Sequence, residues 1–240
     1  MDIGQHTSQQ FNLELETLRN QVLKMGGVVE LQASNALKSL LERDDELAEL
    51  VATSDYKINK MELDIDEECA QIIARRQPAA GDLRLILATA KLVTDLERIG
   101  DEAEKIGRYA IKLANKDTVM EMHAELSHLG NLVLEMLHGS LDSFARMDAD
   151  QAMSIVSDDV KIDQEFNALS RLLITHMMED PRNIKNVLRV IWCARSLERM
   201  GDHAQNICEY IIYLVKGTDV RHISLEQVRE KYFASEEKSK

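Results

Sequence analysis

A single register recurs along this chain, and it limits the possible folds more than any other feature. Asp44 opens the run Asp-Asp-Glu-Leu-Ala, and Asp148 opens Asp-Ala-Asp-Gln-Ala 104 positions later. The same offset pairs Leu37 with Leu141, Val51 with Ile155, Asp55 with Asp159 and Ile58 with Ile162. Past the next turn the offset becomes 101, which aligns Leu96-Glu97-Arg98-Ile99-Gly100-Asp101 with Leu197-Glu198-Arg199-Met200-Gly201-Asp202. A register that persists over three successive segments marks a tandem duplication.

Each copy reads as three long helices. Leu85, Leu92, Leu96, Ile99, Ala103, Ile106, Ala110 and Leu113 recur at spacings of three and four, as do Val190, Cys193, Leu197, Met200, Ala204, Ile207, Ile211 and Leu214 in the second copy. Leu47, Val51, Ile58, Met61, Ile65 and Ile72 predict the helix before, and a first helix is expected from about Gln10 to Arg43, with its counterpart from about Val119 to Met147. The chain has only two prolines and 4% aromatic residues, a helix-rich composition. Pro78, in Gln-Pro-Ala-Ala-Gly-Asp, predicts a turn after which Asp82 starts the next helix. Asp180 before Pro181 predicts an N-cap with proline in the first helical position. Short turns between rods of roughly 45 Å force antiparallel neighbours. The expected fold is therefore all-α: two tandem, pseudo-symmetric three-helix bundles over 8–116 and 117–217, with a tail over 218–240. In that tail Ser224 to Phe233 are read as a short helix and Ser235 to Lys240 as a frayed end.

A net charge of −13 argues against a nucleic-acid partner, because phosphodiesters call for a basic surface. Cys69, Cys193 and Cys208 are scattered and fit neither a disulfide framework nor a zinc pattern, which implies a reducing compartment. The polar N-terminus lacks the pattern of a signal peptide, and no apolar run nears the ~20 residues that span a bilayer. These features predict a soluble, cytoplasmic protein.

The repeated Glu-x-x-Gly-Asp carries the candidate chemistry. Residues four apart share a helix face, so Glu97 meets Asp101 and Glu198 meets Asp202. Folding the second hairpin about Asp180-Pro181 brings Asp159 and Asp163 level with Glu198 and Asp202. In the first hairpin Glu62 and Asn59 fall level with Glu97 and Asp101, and Asp55 shares their helix face. Glu97 lies ~140° from the main apolar line, which places the acids at the bundle surface. Carboxylates without His or Cys favour hard cations, namely Mg²⁺, Mn²⁺, Ca²⁺ or oxidised iron. Gly100 and Gly201 remove side chains beside the acids, and Arg98 and Arg199 are alternative neutralisers. Two Glu-x-x-His sequences, Glu125 to His128 and Glu135 to His138, point ~80° apart on one helix and read as solvated faces. His203 beside Asp202 reads as a surface histidine in preference to a ligand. Gly-rich phosphate loops, dinucleotide fingerprints and nucleophile elbows are absent.

The runs Ala-Arg-Arg-Gln-Pro-Ala-Ala-Gly-Asp-Leu-Arg-Leu-Ile (74 to 86), Asp-Leu-Glu-Arg-Ile-Gly-Asp (95 to 101), Met-Met-Glu-Asp-Pro-Arg (177 to 182) and Ser-Leu-Glu-Arg-Met-Gly-Asp (196 to 202) resemble the PhoU family over roughly Ser8 to His222. The resemblance implies two three-helix bundles in a cytoplasmic homodimer without enzymatic activity. It implies a negative regulator of the phosphate-starvation response, linking the ATPase subunit of a phosphate ABC importer to a sensor histidine kinase. Contact with these membrane systems would be peripheral. It also implies metal ions, of the Mg, Mn or Fe kind, at Glu97 and Asp101 and at Glu198 and Asp202. Asp55, Asp159 and Asp163, with Glu62, complete the expected ligand set, whereas Asn59 departs from the acidic pattern and weakens the first site. The rival readings are a carboxylate-bound metalloenzyme or metal-storage bundle, and a helical spacer without a signalling role.

Overall fold

The structure, a computed structural model, describes residues 9–114, 121–217 and 219–220. Its elements run in the order α1 (Gln9–Glu42), α2 (Asp45–Ser54), α3 (Tyr56–Arg76), α4 (Ala80–Leu113), α5 (His123–Arg146), α6 (Ala149–Glu179), a 3₁₀ turn (Pro181–Asn183) and α7 (Ile184–Lys216). No strand occurs among the described residues. The expected all-α fold of two repeated three-rod units is what is found: α1, α2–α3 and α4, then α5, α6 and α7. The junction at 116–117 and the tail helix over 224–233 lie outside the described residues.

The turns follow from their residues. The Asp44 Oδ1 accepts from the Leu47 N–H at 2.9 Å, and the Asp148 Oδ1 accepts from the Asp150 and Gln151 N–H groups at 3.0 Å. Each satisfies donors that the helix start leaves open. Just before them, Arg43 and Met147 occupy the same left-handed position in the two copies, at φ 57° and 52°. Asp180 caps the 3₁₀ turn by accepting from the Arg182 N–H at 3.1 Å, with Pro181 first in the turn as expected. At the other proline, Gln77 takes a left-handed conformation (φ 46°, ψ 60°) and ends α3. Helix α4 then starts at Ala80, two residues before the expected Asp82, and without a side-chain cap.

The second rod is continuous in one copy and broken in the other. The pattern from Leu47 to Ile72 predicts one helix, but the first copy breaks at Asp55 into α2 and α3, while α6 runs for 31 residues. Asp55 itself keeps helical dihedrals (φ −58°, ψ −30°), and just before it α2 makes a close approach at Gly107. A Cβ there would lie 3.0 Å from the Ala48 carbonyl oxygen and 3.1 Å from the Ala52 nitrogen, so α2 rests backbone against backbone on α4. The equivalent position in α7 is the buried Cys208, which carries a side chain where Gly107 has none.

The repeats pack about a pseudo-two-fold axis. Helices α4 and α7 lie antiparallel along the main seam. Beside them, Leu141 of α5 fills the notch at Gly26 of α1, and Leu37 of α1 fills the notch at Gly130 of α5. These are the same two positions exchanged. Buried apolar residues form one continuous core through both repeats.

Candidate functional site

Each outer crevice between the second and third rods gathers carboxylates. In the first copy, one carboxylate oxygen from each of Asp55, Asp101 and Glu104 lies within 4.8 Å of the others. Asp55 comes from the break between α2 and α3, and the other two from successive turns of α4. Gly100 makes the approach possible, because a Cβ there would sit 3.0 Å from the Asp55 Oδ1 and 2.9 Å from the Ile58 Cδ1. From α1, the buried Gln32 amide donates toward the same Asp55 oxygen at 3.4 Å and toward the Gly100 carbonyl at 3.5 Å.

The other expected residues of this crevice sit close by. Glu97 is raised above the ordinary carboxylate range by burial first, then by the charges of Asp101, Glu62 and Asp55, against the pull of Arg98. Glu62 is raised by burial and by Asp66, and Asp55 by burial and by Asp101. Arg98 is the partial neutraliser that its position suggested, 3.2 Å from Asp101 and 3.4 Å from the Glu97 Oε2. That Glu97 oxygen is nevertheless buried without a hydrogen-bond donor, and so is the Asn59 Oδ1.

The second crevice holds Asp159, Asp163, Glu198 and Asp202, as the folded hairpin predicts. Burial and the charges of Asp163 and Asp202 push Asp159 up to about 6. Glu198 is pushed up to about 7 by burial first, then by Asp202, against the opposing charge of Arg195. Asp202 is raised by burial and by Asp163. Arg195, not the expected Arg199, makes the ion pair with Glu198. One Glu198 oxygen is buried without a hydrogen-bond donor, as one Glu97 oxygen is in the first copy.

Three expectations need correction. Not all the acids are at an open surface: Asp55 and Glu198 are each only 6% exposed, because they sit where two rods meet, whereas Asp163 is exposed as expected and the others are half-buried. His203 is not a surface residue, since its Nδ1 lies 2.7 Å from the Asp95 Oδ1 across the α4–α7 seam. Arg199 turns to the same seam and pairs at 3.0 Å with Glu102, a buried carboxylate that also accepts from Ser196 at 2.8 Å. By the 101-residue register, Asp95–His203 and Ser196–Glu102 are one contact made twice.

Glu104, Gln32 and the seam acids escaped the sequence reading. Glu104 was visible in principle, because it stands three residues after Asp101 on the same face. His128 and His138 point to different helices, toward Glu165 at 3.7 Å and Glu30 at 2.7 Å. They do not converge on either crevice.

Comparison with known proteins fits this duplicated geometry. The PhoU domain family matches twice, over residues 22–110 and 126–211. A Pseudomonas aeruginosa protein described as a phosphate-specific transport system accessory protein PhoU homolog is 53% identical, with 94% of this chain and 93% of the relative covered. The Escherichia coli K12 protein described as phosphate-specific transport system accessory protein PhoU is 46% identical, with 100% and 99% covered. The crystal structure of PhoU from P. aeruginosa superposes with a TM-score of 0.84 at 52% identity, covering 87% of this chain and all of that one. The phosphate transport system regulatory protein PhoU from Streptococcus pneumoniae superposes with a TM-score of 0.81 at 35% identity, covering 88% and 99%. With both repeats matched and the fold shared over 87–88% of its length, this chain belongs to the PhoU family.

Proposed function

We propose that the protein is a non-catalytic, cytoplasmic accessory of a phosphate importer and a negative regulator of the phosphate-starvation response. As a homodimer it links the importer's ATPase subunit to the sensor histidine kinase and keeps the kinase quiet when phosphate is ample. The observation that carries this reading is family membership over both repeats, with relatives described as accessory proteins of phosphate-specific transport. Among the described residues no helix is long and apolar enough to cross a membrane, which fits a peripheral partner of membrane systems. A strain lacking the gene, carrying a phosphate-starvation reporter, should express it in rich phosphate and fall silent on complementation. A reporter that stays silent in the deletion strain contradicts the proposal.

The crevices fit hard cations. The first offers three converging carboxylate oxygens, and each contains a buried glutamate oxygen with no donor, which a cation would satisfy. Asp55, Asp101 and Glu104, with Glu97 and Glu62 beside them, would hold a Mg²⁺, Mn²⁺ or iron ion in the first crevice. Asp159, Asp163, Glu198 and Asp202 would hold one in the second. Such an ion offsets repulsion among the acids and ties the second rod to the third. The metalloenzyme reading loses support because His128, His138 and His203 are engaged by Glu165, Glu30 and Asp95, outside the carboxylates of either crevice. Metal analysis of purified protein should find less metal in Glu198→Gln/Asp202→Asn and in Asp101→Asn/Glu104→Gln than in the parent. Equal metal content in all three rules out these ligands.

A further inference from the structure

The α4–α7 seam has two ends related by the pseudo-two-fold axis, and they differ. At one end Tyr109 of α4 stacks against Trp192 of α7, with ring centroids 5.3 Å apart and tilted by 34°. Trp192, the only tryptophan in the chain, remains 46% exposed. The Lys112 Nζ lies 5.5 Å from the Tyr109 ring, and Arg189 donates to the Lys112 carbonyl at 3.1 Å. Neither Lys112 nor Arg189 has an ion-pair partner among the described residues. Nearby, Arg108 pairs with Glu104, and Lys105 and Arg199 pair with Glu102, so the end has cations in excess.

The mirrored end shows what the fold itself requires. The register carries Tyr109 onto Tyr210, Trp192 onto Lys91, Lys112 onto Tyr213, Arg189 onto Ala88 and Arg108 onto Glu209. There Lys91 covers Tyr210 at 6.0 Å and Arg84 covers Tyr213 at 5.5 Å. An aromatic ring at 109 and 210 is common to both ends. The open tryptophan is not, nor are cations at 112 and 189, whose counterparts are Tyr213 and Ala88, so seam packing does not account for them.

We infer that the Tyr109–Trp192 end of the seam is a docking surface for an acidic, apolar-tipped segment of a partner protein. Its charge is opposite to the −13 of the chain as a whole, so it selects against copies of this acidic protein and for carboxylate-rich surfaces. Trp, Tyr and Arg are the residues that most often dominate protein–protein affinity, and a half-exposed ring on a rigid stack loses little entropy on being covered. A membrane surface is the weaker fit, because Trp192 lies stacked along the seam and most neighbouring cations are already paired. The inference rests on the proposed function, in which the importer's ATPase subunit and the sensor kinase are the partners, and it names the face that one of them covers.

The test uses full-length protein titrated with purified ATPase subunit, with the purified cytoplasmic part of the kinase, and with vesicles of equimolar phosphatidylglycerol and phosphatidylethanolamine. Lys112→Glu/Arg189→Glu removes the charge, whereas Trp192→Lys copies the arrangement that already folds at Lys91 and Tyr210. Each should weaken binding to one of the proteins by about tenfold or more, while Lys91→Glu at the mirrored end changes it less than about twofold. A loss in Trp192→Lys despite its added charge identifies the ring as the anchor. Unchanged protein binding in both variants overturns the inference and leaves the proposed function standing. Parent protein that binds neither candidate overturns the proposed function, and the inference with it. Vesicle binding that the variants abolish, with protein binding intact, overturns the inference in favour of a membrane.

Discussion

The two acid crevices share a skeleton and differ in what fills it. Each has a glutamate with one buried oxygen that lacks a hydrogen-bond donor, a glycine one turn later and an aspartate from the second rod. In the first, the rod breaks at that aspartate, and a Cβ on Gly100 would come within 3.0 Å of Asp55. In the second the rod is unbroken, and the corresponding Gly201–Asp159 separation is 3.9 Å. The register replaces Gln32 by Met136, Asn59 by Asp163, Glu62 by Phe166 and Glu104 by Gln205. The first crevice is thus a close, hydrogen-bonded trio of carboxylates. The second is looser, backed by apolar groups, and holds acids pushed to about 6 and about 7. The frame is common to both copies, and a few substitutions distinguish a convergent first crevice from a looser second one.

The largest effect expected from breaking this comparison is at Gly107. Gly107→Ala pushes α2 off α4 and should lower stability by about 2–3 kcal/mol in thermal or urea unfolding. The helix propensity gained by alanine recovers only part of that loss. Cys208→Ala at the matched position of α7 removes only a sulfur and should cost about 1 kcal/mol. Equal costs at the two positions would mean that the close approach at Gly107 does not set the first copy apart.

A slightly smaller effect, of opposite sign, is expected at Glu198. Its folded-state value of about 7 exceeds the ordinary 4.5, so the native protein binds the extra proton. Stability linked to this group is present below pH 4.5 and is lost as pH rises toward about 7. Asp159 adds a similar loss between 3.8 and about 6. In chelator-treated protein, Glu198→Gln should therefore be more stable than the parent above pH 7, by about 1–2 kcal/mol. The advantage should vanish near pH 4, and an advantage that grows on acidification would contradict the sign.

The smallest effect should come from Gln32→Met, which gives the first crevice the residue of the second. It removes two long hydrogen bonds inside the core and should cost about 1 kcal/mol, read as a lower melting temperature. A variant as stable as the parent would mean that Gln32 does not hold Asp55 in place.

The frame was legible from residues alone because it rests on local rules. The cap at Asp180, prolines at the turns and apolar residues every three or four positions specify rods and hairpins. The hairpin fold also levels Asp159 and Asp163 with Glu198 and Asp202. What could not be read depends on contacts between rods. Asp95 and Glu102 look like ordinary surface acids of α4 until α7 is laid across them. The interruption at Asp55 follows the stretch of α2 that lies against Gly107, fifty-two positions away in the chain. Helical angle tells which residues share a face, but not what that face meets.

The first crevice is the one proposed as a preformed cation site. Manganese binding to chelator-treated protein, followed by electron paramagnetic resonance of the free ion, tests this directly. The parent should bind one Mn²⁺ tightly, and Asp101→Asn/Glu104→Gln should weaken that binding at least about tenfold. Glu198→Gln/Asp202→Asn should leave the tight ion in place and affect only weaker binding. Tight binding that survives the first double variant and disappears in the second would contradict the account.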